Sequence, residues 1–84
     1  MATLLERVIK VVEKNIANGR PVTPSTNFMD DLAADSLGLT ELIMALEDEF
    51  GESGKALDIP DEDALKIKTV QATVDYLKAL GLQD

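Results

Sequence analysis

In the run from Asp30 to Glu41, DDLAADSLGLTE, one hydroxyl, Ser36, stands between an acidic loop and the first turn of a helical pattern. Three roles are open to it. As a nucleophile it would need a general base within hydrogen-bond reach, most often histidine, and the chain contains none. Lys55, the one base of the acidic segment, sits among carboxylates that favour its charged, non-basic form. Self-contained serine catalysis is therefore disfavoured. As a helix cap, Ser36 competes with Asp35, since either side chain can accept a free N–H of the first turn. As a handle, it would receive a phosphate-bearing group from another enzyme. A helix N-terminus suits such a group, because its unpaired N–H groups and the positive end of its dipole both favour an anion.

The elements that position this serine separate cleanly along the chain. Thr3 followed by Glu6 is a capping-box signature, and Leu5, Val8, Ile9, Val12 and Ile16 then recur at helical spacing, which predicts a first helix over Leu4 to Ala17. Asn18-Gly19 supplies a left-handed stop, and Pro21 and Pro24 forbid continuation. In the long loop that follows, Phe28 and Leu32 are four apart and are expected to fold onto the core as a short turn. Leu37 to Phe50 reads as a second helix. Its Leu39, Leu42, Ile43, Leu46 and Phe50 fall within about 100° of one another and face inward. Leu37 and Met44 lie on the opposite side, on one stripe with Glu41 and Asp48 and with Thr40 and Glu47 toward its edge. Pro60 opens a short helix carrying Ala64, Leu65 and Ile67, and Thr69 caps a last helix whose Val70, Val74, Leu77 and Leu80 face inward before Gly81. No period-two run occurs. The expected fold is all-α: a four-helix bundle of three long helices and a short third one, with a long first loop.

Eighty-four residues suffice for one small domain, which buries only about 60% of its unfolded surface. Without cysteine there is no disulfide or thiolate metal cluster, so the apolar 45% must supply the stability; no metal site is expected, and the cysteine-free composition fits a reducing cytoplasm. Charges interrupt the N-terminal apolar pattern at Glu6, Arg7, Lys10 and Glu13, so neither a signal peptide nor membrane insertion is expected. The net charge is −8, and of 16 acids 12 lie between Asp30 and Asp63, where Lys55 is the only base. Such a face repels nucleic acid and steers basic protein surfaces toward it over about 8–10 Å at physiological salt.

The stretch DDLAADSLGLTELIMALEDEFG, followed by IPDEDALKIKTVQATVDYL, resembles an acyl carrier protein of the discrete, type II kind, over roughly Phe28 to Leu77. The resemblance implies that Ser36, preceded by Asp35, carries a 4′-phosphopantetheine arm derived from coenzyme A, on which acyl groups ride as thioesters. It also implies that the chain is not an enzyme but a monomeric carrier, a single acyl carrier domain over residues 1–84. The implied partners are a phosphopantetheinyl transferase and acyl-handling enzymes with basic surfaces. The implied docking strip is Leu37, Glu41, Met44, Glu47 and Asp48, and the implied acyl pocket is lined by Phe28, Leu39, Leu42, Leu46 and Val74.

Several positions depart from the family pattern. Gly38 stands where an acid is frequent, Leu39 and Thr40 where a small polar and a β-branched apolar residue are usual, and the connection after Phe50 is longer. These departures put a dedicated carrier for a special acyl group, in a lipid-modification, polyketide or other secondary pathway, on at least an equal footing with the housekeeping carrier of fatty acid synthesis. An aminoacyl or D-alanyl carrier shares the serine motif, but the acidic ELIMALEDEF favours acyl cargo; an unmodified acidic helical adaptor for a basic partner is the remaining rival. GESGK lacks the glycine spacing and the Ser/Thr of a phosphate-binding loop, and DIPDED lacks the glycine and closing Glu of a calcium loop.

Overall fold

The computed structural model describes residues 3–17, 19–51 and 58–83; Asn18 and residues 52–57, with Lys55 and nearly all of GESGK, lie outside these. Among the described residues four helices follow in order: α1 (Leu4–Asn15), α2 (Ser36–Phe50), α3 (Asp61–Ala64) and α4 (Val70–Ala79). The all-α bundle with a short third helix is thus the architecture of the chain, and no strand occurs among the described residues.

The first helix starts where expected, with Thr3 Oγ1 accepting the Glu6 N–H at 3.1 Å. It ends two residues before the expected Ala17. Ile16 and Ala17 both turn their N–H groups onto Val12 O, and the Asn15 side chain donates to Val11 O at 2.7 Å, so the last carbonyls are satisfied without another turn. Gly19 is left-handed (φ 82°), as a stop requires. Helix α2 begins at Ser36 rather than Leu37.

The long loop is tied down at both ends of its path. Val70 and Gln71, whose N–H groups in the first turn of α4 have no helical partner, donate to Thr26 O (3.2 Å) and Pro24 O (2.8 Å). Thr69 Oγ1 takes the next one, from Ala72, at 3.0 Å. Phe28 N–H reaches Lys68 O, and an isolated bridge pairs Asn27 with Thr69. Beyond it the chain forms one turn: Asn27 Oδ1 accepts from the Met29 and Asp30 amides, while Asp31 Oδ2 accepts from the Asn27 amide. That turn drives Phe28 and Leu32 into the core, as their spacing predicts.

The core joins Leu4, Val8 and Val12 of α1, Leu42, Leu46 and Phe50 of α2, Phe28 of the loop, and Val70, Val74 and Leu77 of α4, all buried. Each such side chain stabilises the fold by about 1.5–3 kcal/mol. Two expected inward residues of α2, Leu39 and Ile43, are only half-buried, because an open groove separates them from the short α3 and its flanks. Leu80, expected inward, is 49% exposed. It is the C-cap of α4, and Gly81 (φ 99°) then reverses the chain so that the Gly81 and Leu82 amides close onto Lys78 O and Leu77 O. Leu82 therefore packs on the core in its place.

Helix α3 has a single turn and no side-chain cap, so its position depends on bonds from neighbours. Tyr76 of α4 donates its hydroxyl to Asp63 Oδ2 at 2.7 Å, and the Ile59 N–H donates to Glu47 Oε2 of α2 at 2.9 Å. The flanking Ile59 and Ile67 are buried.

Candidate functional site

Asp35 is extended (φ −88°, ψ −172°), and its Oδ1 accepts the Gly38 N–H at 2.8 Å while its carbonyl accepts that of Leu39 at 2.9 Å. Asp35 is thus the cap, which leaves Ser36 as the first helical residue, exposed, with its hydroxyl unengaged by the described residues. The Ser36 and Leu37 amides likewise lack a partner among these residues. The chain approaches this end through Ala33, which is left-handed (φ 55°), and through the Ala34 N–H, which closes on Phe28 O at 2.9 Å. An accessible hydroxyl beside two unpaired amides at the electropositive end of a 15-residue helix is a donor set suited to a phosphodiester. Gly38 is not forced by its surroundings: an added Cβ would meet Asp35 Oδ1 at 3.4 Å and Ala34 Cβ at 3.5 Å.

From Ser36 a groove of 460 Å³ runs along α2. Leu39, Thr40, Ile43, Met44 and Glu47 form one wall, and Asp58, Ile59, Ala64 and Leu65 form the other. Eleven residues at 1.5 Å each separate Ser36 from Glu47, so the groove follows the helix for about 16 Å. Thr40 Oγ1 donates to Ser36 O at 2.9 Å, which fixes the side chain nearest the serine.

Of the five expected acyl-pocket residues, only Leu39 lines this groove. Phe28, Leu42, Leu46 and Val74 lie beneath it in the packed core, each 3% exposed or less. The expected lining took Leu39, Leu42 and Leu46 from the inward face of α2 and passed over Ile43. In the structure Leu42 and Leu46 are sealed in the core, whereas the positions a quarter-turn away face α3. The groove residues that the expected sites did not include are Thr40, Ile43, Asp58, Ile59, Ala64 and Leu65. Leu65, at 74% exposed, could have been suspected from an apolar residue at the end of a single-turn helix too short to bury it.

The expected docking strip divides. Leu37 (67% exposed) and Met44 (59%) project outward with Glu41 and Asp48. Glu47 does not stand free with them: it is half-buried and engaged with the Ile59 amide. The bases of the described chain lie elsewhere, with Arg7, Lys10 and Lys14 on α1. Arg7 binds Glu49 Oε2 and the Glu49 carbonyl at the end of α2, and its guanidinium stands 4.5 Å from the centre of the Phe50 ring.

The phenol of Tyr76 is pushed up to about 12, first by burial against the bundle and then by its bond to Asp63, with the negative charges of Asp63 and Asp58 adding to this. That shift belongs to the clasp of α3 rather than to chemistry, since Tyr76 does not line the groove. Among the described residues no group of three His, Cys, Asp or Glu side chains could hold a metal ion, and no helix is long and apolar enough to cross a membrane.

Compared with known protein families, the chain matches the one described as phosphopantetheine attachment site over residues 2–77. Domains of that family are non-catalytic carriers bearing covalently attached 4′-phosphopantetheine, served by phosphopantetheinyl transferases and by enzymes that handle the carried group. A small helical bundle with a hydroxyl held out at a helix start and a groove beside it accords with that role, and the chain belongs to the phosphopantetheine attachment site family, as an acyl carrier protein-like carrier.

Proposed function

We propose that Ser36 is the attachment point and that the chain carries acyl intermediates, delivering them to partner enzymes of a specialised fatty acid, lipid or polyketide pathway. The observation that carries this is the division of labour at the start of α2, where Asp35 caps and the adjacent Ser36 hydroxyl stays accessible at the mouth of the groove. The phosphopantetheine arm, once attached, supplies the thiol that holds the acyl group as a thioester. This chain's own residues do the rest. Asp35 fixes the first turn so that Ser36 presents its hydroxyl outward, and the Ser36 and Leu37 amides favour the phosphate. Leu37 and Met44 bury on contact with a partner whose basic surface is drawn by Glu41 and Asp48. Leu39 and Ile43 offer the cargo an apolar wall.

Intact mass after incubation with coenzyme A and a phosphopantetheinyl transferase tests the assignment. The wild-type chain should gain the arm, and Ser36→Ala should gain nothing. A gain that survives Ser36→Ala would move the attachment elsewhere, and no gain in the wild type would remove the carrier role from Ser36.

A further inference from the structure

The groove is apolar along its middle, and beyond Ser36 at its mouth the polar side-chain atoms of its described residues are all acceptors. Thr40 spends its hydroxyl hydrogen on Ser36 O, so only its lone pairs remain. The Ile59 N–H is already spent on Glu47 Oε2. The Glu47 carboxylate has further acceptor sites beyond that one bond, and Asp58 beside it adds another carboxylate. At the end farther from Ser36 the described residues of the groove therefore offer acceptors and negative charge, and no side-chain donor.

We propose that this groove selects acyl groups bearing a hydrogen-bond donor toward their far end, a hydroxyl or an amine, and excludes chains ending in a carboxylate. This rests on attachment at Ser36. A plain hydrocarbon end drawn up to Glu47 would strip water from a carboxylate and give nothing in return, whereas a donor replaces the lost water. A carboxylate end would add like-charge repulsion to the same desolvation. The wall carrying Glu47 is also anchored: its bond to Ile59 holds the carboxylate toward the groove instead of leaving it with Glu41 and Asp48 on the outer stripe.

The test loads the full chain enzymatically with four cargoes of equal length, ending in methyl, hydroxyl, amine and carboxylate. It follows spontaneous hydrolysis of the thioester, together with amide chemical shifts of Ile43 and Ile59. Hydroxyl- and amine-ended cargo should hydrolyse roughly tenfold more slowly than the methyl-ended one, as expected for one hydrogen bond to a charged acceptor, and should shift both amides. The carboxylate-ended cargo should be unprotected and leave the shifts unchanged. Glu47→Gln should abolish the advantage of the amine and relieve the exclusion of the carboxylate, and Asp58→Asn, at an exposed position, should move both in the same direction by less. If Glu47→Gln does not fold, the wild-type ranking and Asp58→Asn still decide. Loading at Ser36 followed by equal hydrolysis of all four, or best protection of the carboxylate, overturns this proposal alone. A failure to load at Ser36 overturns the attachment beneath it as well.

Discussion

Asp35 Oδ1 accepts the Gly38 N–H at 2.8 Å, and that bond releases the neighbouring Ser36 hydroxyl from capping duty. Two adjacent residues that each could have closed the helix are thereby given separate work, one structural and one at the surface.

Asp35→Ala should destabilise the fold by about 1 kcal/mol, the usual cost of a lost N-cap, while Asp35→Asn should retain most of the stability because the amide oxygen can still accept the Gly38 N–H. Urea denaturation followed by circular dichroism measures both. Equal losses for the two variants would mean that the bond is not the source of the effect.

Gly38 lies in the first turn with no positive φ, and an added Cβ finds ordinary contact distances around it. Gly38→Ala should therefore stabilise by up to about 1 kcal/mol, through reduced entropy of the unfolded chain and better helix propensity. A fall in the denaturation midpoint would show that the site needs the looseness of glycine.

Leu46 and Met44 are two residues apart on the same helix and should respond in opposite ways. Leu46 is fully buried, so Leu46→Ala should cost about 2–5 kcal/mol, a large share of the stability of so small a domain. Met44 is 59% exposed, and Met44→Ala should change stability by less than about 0.5 kcal/mol while lowering the transferase kcat/KM for arm attachment. Thermal melts and transferase kinetics on both variants separate the two effects.

Tyr76 ties stability to alkaline pH. Its folded pKa, about 12, lies above the ordinary value of 10.0, so folding favours the protonated phenol. The contribution is complete below pH 10.0 and declines as pH rises from there toward about 12. Tyr76→Phe should lose about 1 kcal/mol near neutrality, with the difference from wild type shrinking across that window. Phenolate absorbance titration of the folded chain should show the raised midpoint; an ordinary midpoint would mean that the Asp63 clasp does not hold in solution.

Much of this protein was settled by local rules acting over a few residues. Thr3 and Thr69 cap because a hydroxyl there meets the free amides of a first turn, and Phe28 and Leu32 share a face because they stand four apart. The exposure of Leu37 and Met44 follows from helical spacing alone. What depends on distant partners was decided only by the tertiary structure. The left-handed Ala33 carries no signal in its residue type; the closure of Ala34 on Phe28 imposes it. The choice between Asp35 and Ser36 as cap was open until the backbone fixed which oxygen reached Gly38. Glu47 reads as one more acid on a solvated stripe until Ile59 arrives beside it from twelve residues away. The groove divides Leu39 and Ile43 from Leu42 and Leu46 for the same reason: periodicity says which side of a helix is apolar, but only the packing of a second element says how much of that side is covered.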